Sequence, residues 1–183
     1  MATSKTGSFY LTETITLPPA TADAAVIQGS IDLGAYVNVA TGQAIAVESV
    51  DFVFQASEYY TARAEGMLAG NGAITAQLTD LNPGDAFVRA DNQSLIASAG
   101  LNIDVANSIV SHVSDLYPDN FGPANLSEAF MVVNDTMYLT SGPSGSATST
   151  SNVFVTARIR CRVVKLGTKD WMAIAIQSTA SDN

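Results

Sequence analysis

Residues 153–166 read VFVTARIRCRVVKL. Val155, Ala157, Ile159, Cys161 and Val163 recur at every second position, and Arg158, Arg160 and Arg162 alternate with them. Successive side chains of a strand leave on opposite sides, so this spacing predicts one β-strand with an apolar and a basic face. Cys161 falls on the apolar face, where a thiol packs as a small inert hydrophobe. The three arginines fall together on the other face and repel one another, so something must match them. Carboxylates on an adjacent strand of the same chain are one answer. An acidic face on a neighbouring copy is the other, and it makes Arg158, Arg160 and Arg162 an expected interface.

The same period runs through the chain. Phe9, Leu11, Ile15 and Leu17 alternate with Thr12, Thr14 and Thr16, and Pro18-Pro19 ends the run because proline supplies no ladder donor. Ile27, Ile31, Leu33, Val37 and Val39 share a second face, and Thr41-Gly42 turns the chain. From Ala44 to Gln55 the phase slips: Ile45 and Val47 are out of step with Val50, Phe52 and Phe54. One extra residue near Glu48-Ser49 restores a common face, which predicts a β-bulge; a strand buried on both faces is the alternative. Tyr59 to Met67 reads as a weaker strand, and Ile74, Ala76 and Leu78 as another. A turn follows at Asn82-Pro83-Gly84-Asp85.

Asp91 to Gly100 reads as a short helix, with Asp91 or Ser94 as its cap and Gly100 as its end. Leu101, Ile103 and Val105 resume the alternation, Ile109 to Leu116 is ambiguous, and Tyr117 to Pro123 is loop. Ala129 to Thr140 is β-prone. Ser141 to Asn152, rich in Ser, Gly and Thr, reads as a mobile surface loop. Trp171 to Ile176 reads better as strand than as helix. Eight or nine strands with no helical crossovers predict an all-β, antiparallel β-sandwich, with an eight-stranded jelly roll the best single choice. No linker or repeat divides residues 1–183, so one domain is expected.

Composition narrows the function. Charged residues are 14% of the chain, against roughly 25% in an average soluble domain. Ser, Thr, Asn, Ala and Gly replace them, which suits exposed strand faces and subunit contacts. With 8 basic and 17 acidic residues, the net charge of -9 repels nucleic acid and anionic membrane. The arginine stripe lacks the basic tail and interleaved aromatics of a nucleic-acid site, so no direct nucleic-acid binding is expected. No apolar run is long enough to span a bilayer, and Met1 to Ser8 lacks the layout of a signal peptide. Synthesis and assembly in the cytoplasm are therefore expected.

Catalysis finds little material. The single histidine, His112, sits among Ser111, Ser114 and Asp115, but sequence neighbours alternate faces on a strand and form no triad. No nucleophile elbow, phosphate loop or zinc-protease motif is present. One His and one Cys cannot build a zinc site of the usual kind. Asp115, Asp119 and Asn120 offer a weak calcium site, and Glu13, Glu48 and Asp51 a weak acid–base set; an ordinary polar loop and a solvated sheet face are the plainer readings. The expectation is a protein that is not an enzyme and uses no cofactor.

Together the chain length, the short strands, the low charge and the Thr/Ser/Ala-rich faces resemble the single jelly-roll capsid proteins of icosahedral viruses. The stretch GQAIAVESVDFVF (42–54) looks like a core strand of such a protein. The resemblance implies a structural subunit that self-assembles into a capsid shell, with copies of itself and other capsid proteins as partners and the virion as its location. Many such subunits carry a basic N-terminal arm, whereas this N-terminus has only Lys5. That departure suits a shell over an internal membrane, or a packaged genome with its own counterions. The competing reading is a carbohydrate-binding or adhesive β-sandwich, which needs an exposed aromatic platform; Tyr59, Tyr60 and Trp171 are the available rings.

Overall fold

Ten strands and one helix follow one another in the computed structural model, which describes residues 2–57, 63–113 and 129–180. The strands are β1 (Thr3–Ser4), β2 (Phe9–Leu17), β3 (Ile27–Asp32), β4 (Gln43–Ala56), β5 (Gly72–Thr79), β6 (Leu95–Asp104), β7 (Ile109–Val113), β8 (Phe130–Val132), β9 (Thr136–Ser144) and β10 (Val153–Lys165). The helix, α1, is Thr168–Ala180. In the first sheet β10 lies between β4 and the pair β1 and β2, and β8 extends the β4 side. The second sheet runs β3-β9-β5-β6-β7. Every pairing is antiparallel. The pairing is also nested: β2 meets β10, β3 meets β9, β4 meets β8, and β5 meets β6 at the centre. The chain thus forms an all-β sandwich.

Its core is the set of inward positions that period two dictates. Val155, Ala157, Ile159 and Cys161 of β10 are fully buried and meet Leu17, Val47, Ile74, Leu78, Met137 and Leu139 in one apolar cluster. The phase slip in β4 is a bulge where the sequence places it. Arg160 pairs with Ser49 and Cys161 with Val47, so Glu48 is the extra residue. Val47 and Val50 both stay inside, while Glu48 and Ser49 both face outward.

The start of β4 is covered on its outer side as well. Trp171, Ile174 and Ala175 of α1 lie over Ala44, Ala46 and Val164, a second small apolar cluster. Small alanines let the helix approach the sheet closely. The tail is therefore helix, not the strand that its alternation favours; spacing of three and four residues puts Trp171, Ile174 and Ala175 on one helical face.

Other expectations are corrected. Asp91 to Gly100 holds no helix: Asn92 Oδ1 accepts from Ser94 N at 2.9 Å and from Ser94 Oγ at 2.8 Å, and the chain leaves this turn as β6. Residues 95–101 are buried on both faces between β5 and β7, and such a run carries no readable period. Ala64–Met67 is a 3-10 turn rather than strand, and residues 59–62 of that stretch lie outside the described residues. Val39 is 67% exposed in a 3-10 turn capped by Asn38 and closed by Gly42 at φ 68°.

Ser141 to Asn152 is no mobile loop. Its first four residues belong to β9, Ser141 Oγ donates to Thr75 O at 2.7 Å, and Thr148 is buried with its hydroxyl on Pro18 O at 2.7 Å. Composition hid this because Ser, Gly and Thr serve here as close-packing residues rather than solvated ones.

Candidate functional site: the outer face of the first sheet

Arg158, Arg160 and Arg162 share the outer face of β10, as their spacing requires, but they do different work. Glu48 is 5% exposed, and its carboxylate accepts from both Arg162 and Arg160, the latter with Nε 3.0 Å from Oε2. Ser8 Oγ donates to the same carboxylate at 2.9 Å. The bulge sets Glu48 and Ser49 side by side on this face, opposite Arg160 and within reach of Arg162. Two of the three arginines therefore find the carboxylate on an adjacent strand of their own chain.

Arg158 stands apart. It is exposed, its guanidinium lies 5.4 Å from the centre of the Tyr10 ring, and Asp51 is its neighbour on β4. Tyr10 is itself 55% exposed. A guanidinium over an aromatic face is a cation–π contact, and here both partners remain open to solvent. Around them Thr12, Thr14 and Thr16 of β2 carpet the face, with the Thr14 and Thr156 hydroxyls 2.8 Å apart.

Beneath the arginines, Cys161 is fully buried. Burial, helped by the Glu48 charge, pushes its thiol up to about 12, which keeps it protonated and inert at neutral pH. Sequence and structure agree on this residue.

The weaker candidates are scattered. Glu13 lies on the inner side of β2, with its Oε1 3.0 Å from where a Cβ on Gly29 would sit. Desolvation raises its pKa. A carboxyl whose folded pKa is raised binds its proton more tightly in the native state, so stability falls as pH rises from the unfolded pKa through the folded one. Glu13→Gln is therefore expected to stabilise the fold at pH 7 and to leave it unchanged below the unfolded pKa. Urea melts of both proteins at the two pH values check this; equal stability at pH 7 would remove the desolvation account.

Glu13 and Glu48 thus lie on opposite sides of the sheet, and Asp51 is exposed on the outer side. His112 is exposed on β7, edge-on to Phe54 with ring centres 5.8 Å apart. Asp115, Asp119, Asn120, Tyr59 and Tyr60 lie outside the described residues. Trp171 packs on the sheet from α1 rather than standing on an open platform. Among the described residues no cluster of three metal-ligating side chains occurs, and no helix is long and apolar enough to cross a membrane.

A second feature was invisible in the sequence. Where α1 leaves β10 it faces the turn at 39–42, and the two enclose a groove of about 750 Å³ lined by Val39, Gly42, Leu166, Trp171 and Met172. Met172 and Ile176, one turn apart on α1, are 55% and 64% exposed. Only knowledge that the tail is helical brings these residues together.

No family model matches this chain, and no curated protein matches it. Among solved structures, a chain of turnip yellow mosaic virus is similar over 90% of this chain and 86% of that one, at 9% sequence identity and a TM-score of 0.30, a likeness that assigns neither fold nor function.

Proposed function

We propose that this chain is a structural subunit that self-assembles into a virus capsid shell on a jelly-roll sandwich, and that it performs no catalysis. The nested pairing supports the jelly-roll reading: β2–β10, β3–β9, β4–β8 and β5–β6 are the pairs of one long hairpin rolled into two sheets, with β7 added at an edge. The same architecture serves capsids and lectins, so the surface has to decide between them. The observation that carries the structural reading is the apolar end of the molecule. Val39, Met172 and Ile176 expose large hydrophobic surface beside a groove, in a chain with few charges. Such surface is normally covered by protein. A sugar site needs a platform of open rings; Trp171 is turned onto the sheet, and Tyr10, though 55% exposed, has Arg158 over its face.

On this reading the partners are copies of the chain and other capsid proteins, and the location is the virion. The acidic balance suits a shell that meets no bare genome, as over an internal membrane. The test is Met172→Lys with Ile176→Lys. Both positions are solvent-facing on α1, so the monomer keeps its fold while large assemblies shrink by light scattering. Unchanged particle size with unchanged circular dichroism would set the reading aside.

A further inference from the structure

We propose that the Arg158–Tyr10 face of one copy docks on the acidic outer side of the second sheet of a neighbouring copy. The inference rests on the self-assembly reading and names the surfaces it uses. The outer face of the first sheet carries three arginines against Asp51 and Glu48, whereas the rest of the chain carries five basic residues against fifteen acidic ones. With Arg160 and Arg162 turned to Glu48, the exposed charges of this face are Arg158, held in place by Tyr10, and Asp51 beside it on β4; Arg160 stays 42% exposed, and the face as a whole keeps one more positive than negative charge. Arginine and tyrosine are the side chains most often found as anchors of protein contacts. Stacking fixes the guanidinium before any partner arrives, which lowers the ordering cost of binding. The surrounding threonines are flat and uncharged, so a partner need not strip many ions of water to approach.

The opposite side of the molecule has the complementary sign. There the segment between β5 and β6 crosses the outer side of the second sheet, fastened by Gln77 to both Val88 N and Val88 O at 2.9 Å and by Gln28 Nε2 to Gly84 O at 3.2 Å. It exposes Asp85 and Asp91 against Arg89, and Asp32 is exposed at the end of the adjacent β3. The two faces lie on opposite sides of one sandwich. A contact between them is therefore heterologous: each copy offers one face to the next, which closes into a ring or shell when rotation allows.

Charge reversal tests this. Arg158→Glu should weaken self-association about tenfold, the usual loss for an interface anchor. The wild-type association should also fall between low salt and about 0.5 M NaCl. An Asp85→Lys, Asp91→Lys variant should be equally defective alone. Mixing it with the Arg158→Glu variant should restore association, because one reversed face then meets the other. Wild-type-like association of folded Arg158→Glu protein overturns the proposal while leaving self-assembly intact. Loss of binding to a single-stranded DNA oligonucleotide with self-association unchanged also overturns it, as would wild-type protein that stays monomeric, which removes both readings.

Discussion

Glu48→Leu is expected to cost the fold about 3 kcal/mol, the lower end of what is lost when one partner of a buried ion pair is removed. Glu48 is 5% exposed and the side chain of Arg162 is 16% exposed, so water can replace little of the lost carboxylate at Arg162. Arg160 is 42% exposed and can turn outward, which keeps the cost from the upper end. Ser8 Oγ also loses its acceptor. Adding Arg162→Met to Glu48→Leu should recover most of the loss, because an apolar pair in that space leaves no stranded charge. Urea denaturation of the single and double variants measures both steps. A single variant within about 1 kcal/mol of wild type would mean that the arginines find other partners and that Glu48 does not organise the face.

Gly142→Val is expected to be comparably damaging. A Cβ on Gly142 would lie 2.1 Å from Ala25 O and 3.1 Å from Ala25 C, and backbone cannot rotate aside as a side chain can. Gly142 pairs with Thr75 of β5, so β9 cannot shift without breaking its ladder; the segment before β3 must move instead. That movement pulls on the Ala24 N to Pro143 O bond of 3.0 Å. Overpacking of this kind costs about 1–3 kcal/mol or more, and a branched side chain belongs at the top of that range. Gly7→Ala is the control, since nothing lies within 4 Å of its Cβ position. Thermal melts in which Gly142→Val matches Gly7→Ala would show that the 22–26 segment yields freely.

These two residues also mark what the sequence did and did not disclose. The bulge at Glu48 was legible because a period-two pattern slips by one residue when a strand carries an insertion, and the arginine stripe was legible because one strand fixes which side chains share a face. The division of labour among Arg158, Arg160 and Arg162 was not, since it depends on which strand lies beside β10. Gly142 was misread because composition cannot distinguish a small residue chosen for close approach from one chosen for flexibility. The helix at the C-terminus was misread because Met172, Ile174 and Ile176 alternate, while Trp171, Ile174 and Ala175 also suit a helical face. Ala44 and Ala46 held the missing signal: two alanines on the outward side of a strand, where polar residues are expected, imply that something covers them. Residues 95–101, buried on both faces, lack the polar half of the pattern on which period reading depends.

Self-assembly is read out by size-exclusion chromatography with light scattering on the purified chain, followed by negative-stain microscopy of any large species. Rings or closed shells whose population grows with protein concentration are the predicted result. A monomer of 19.0 kDa at every concentration and salt condition would contradict it and turn attention to the groove beside Trp171 as a ligand site.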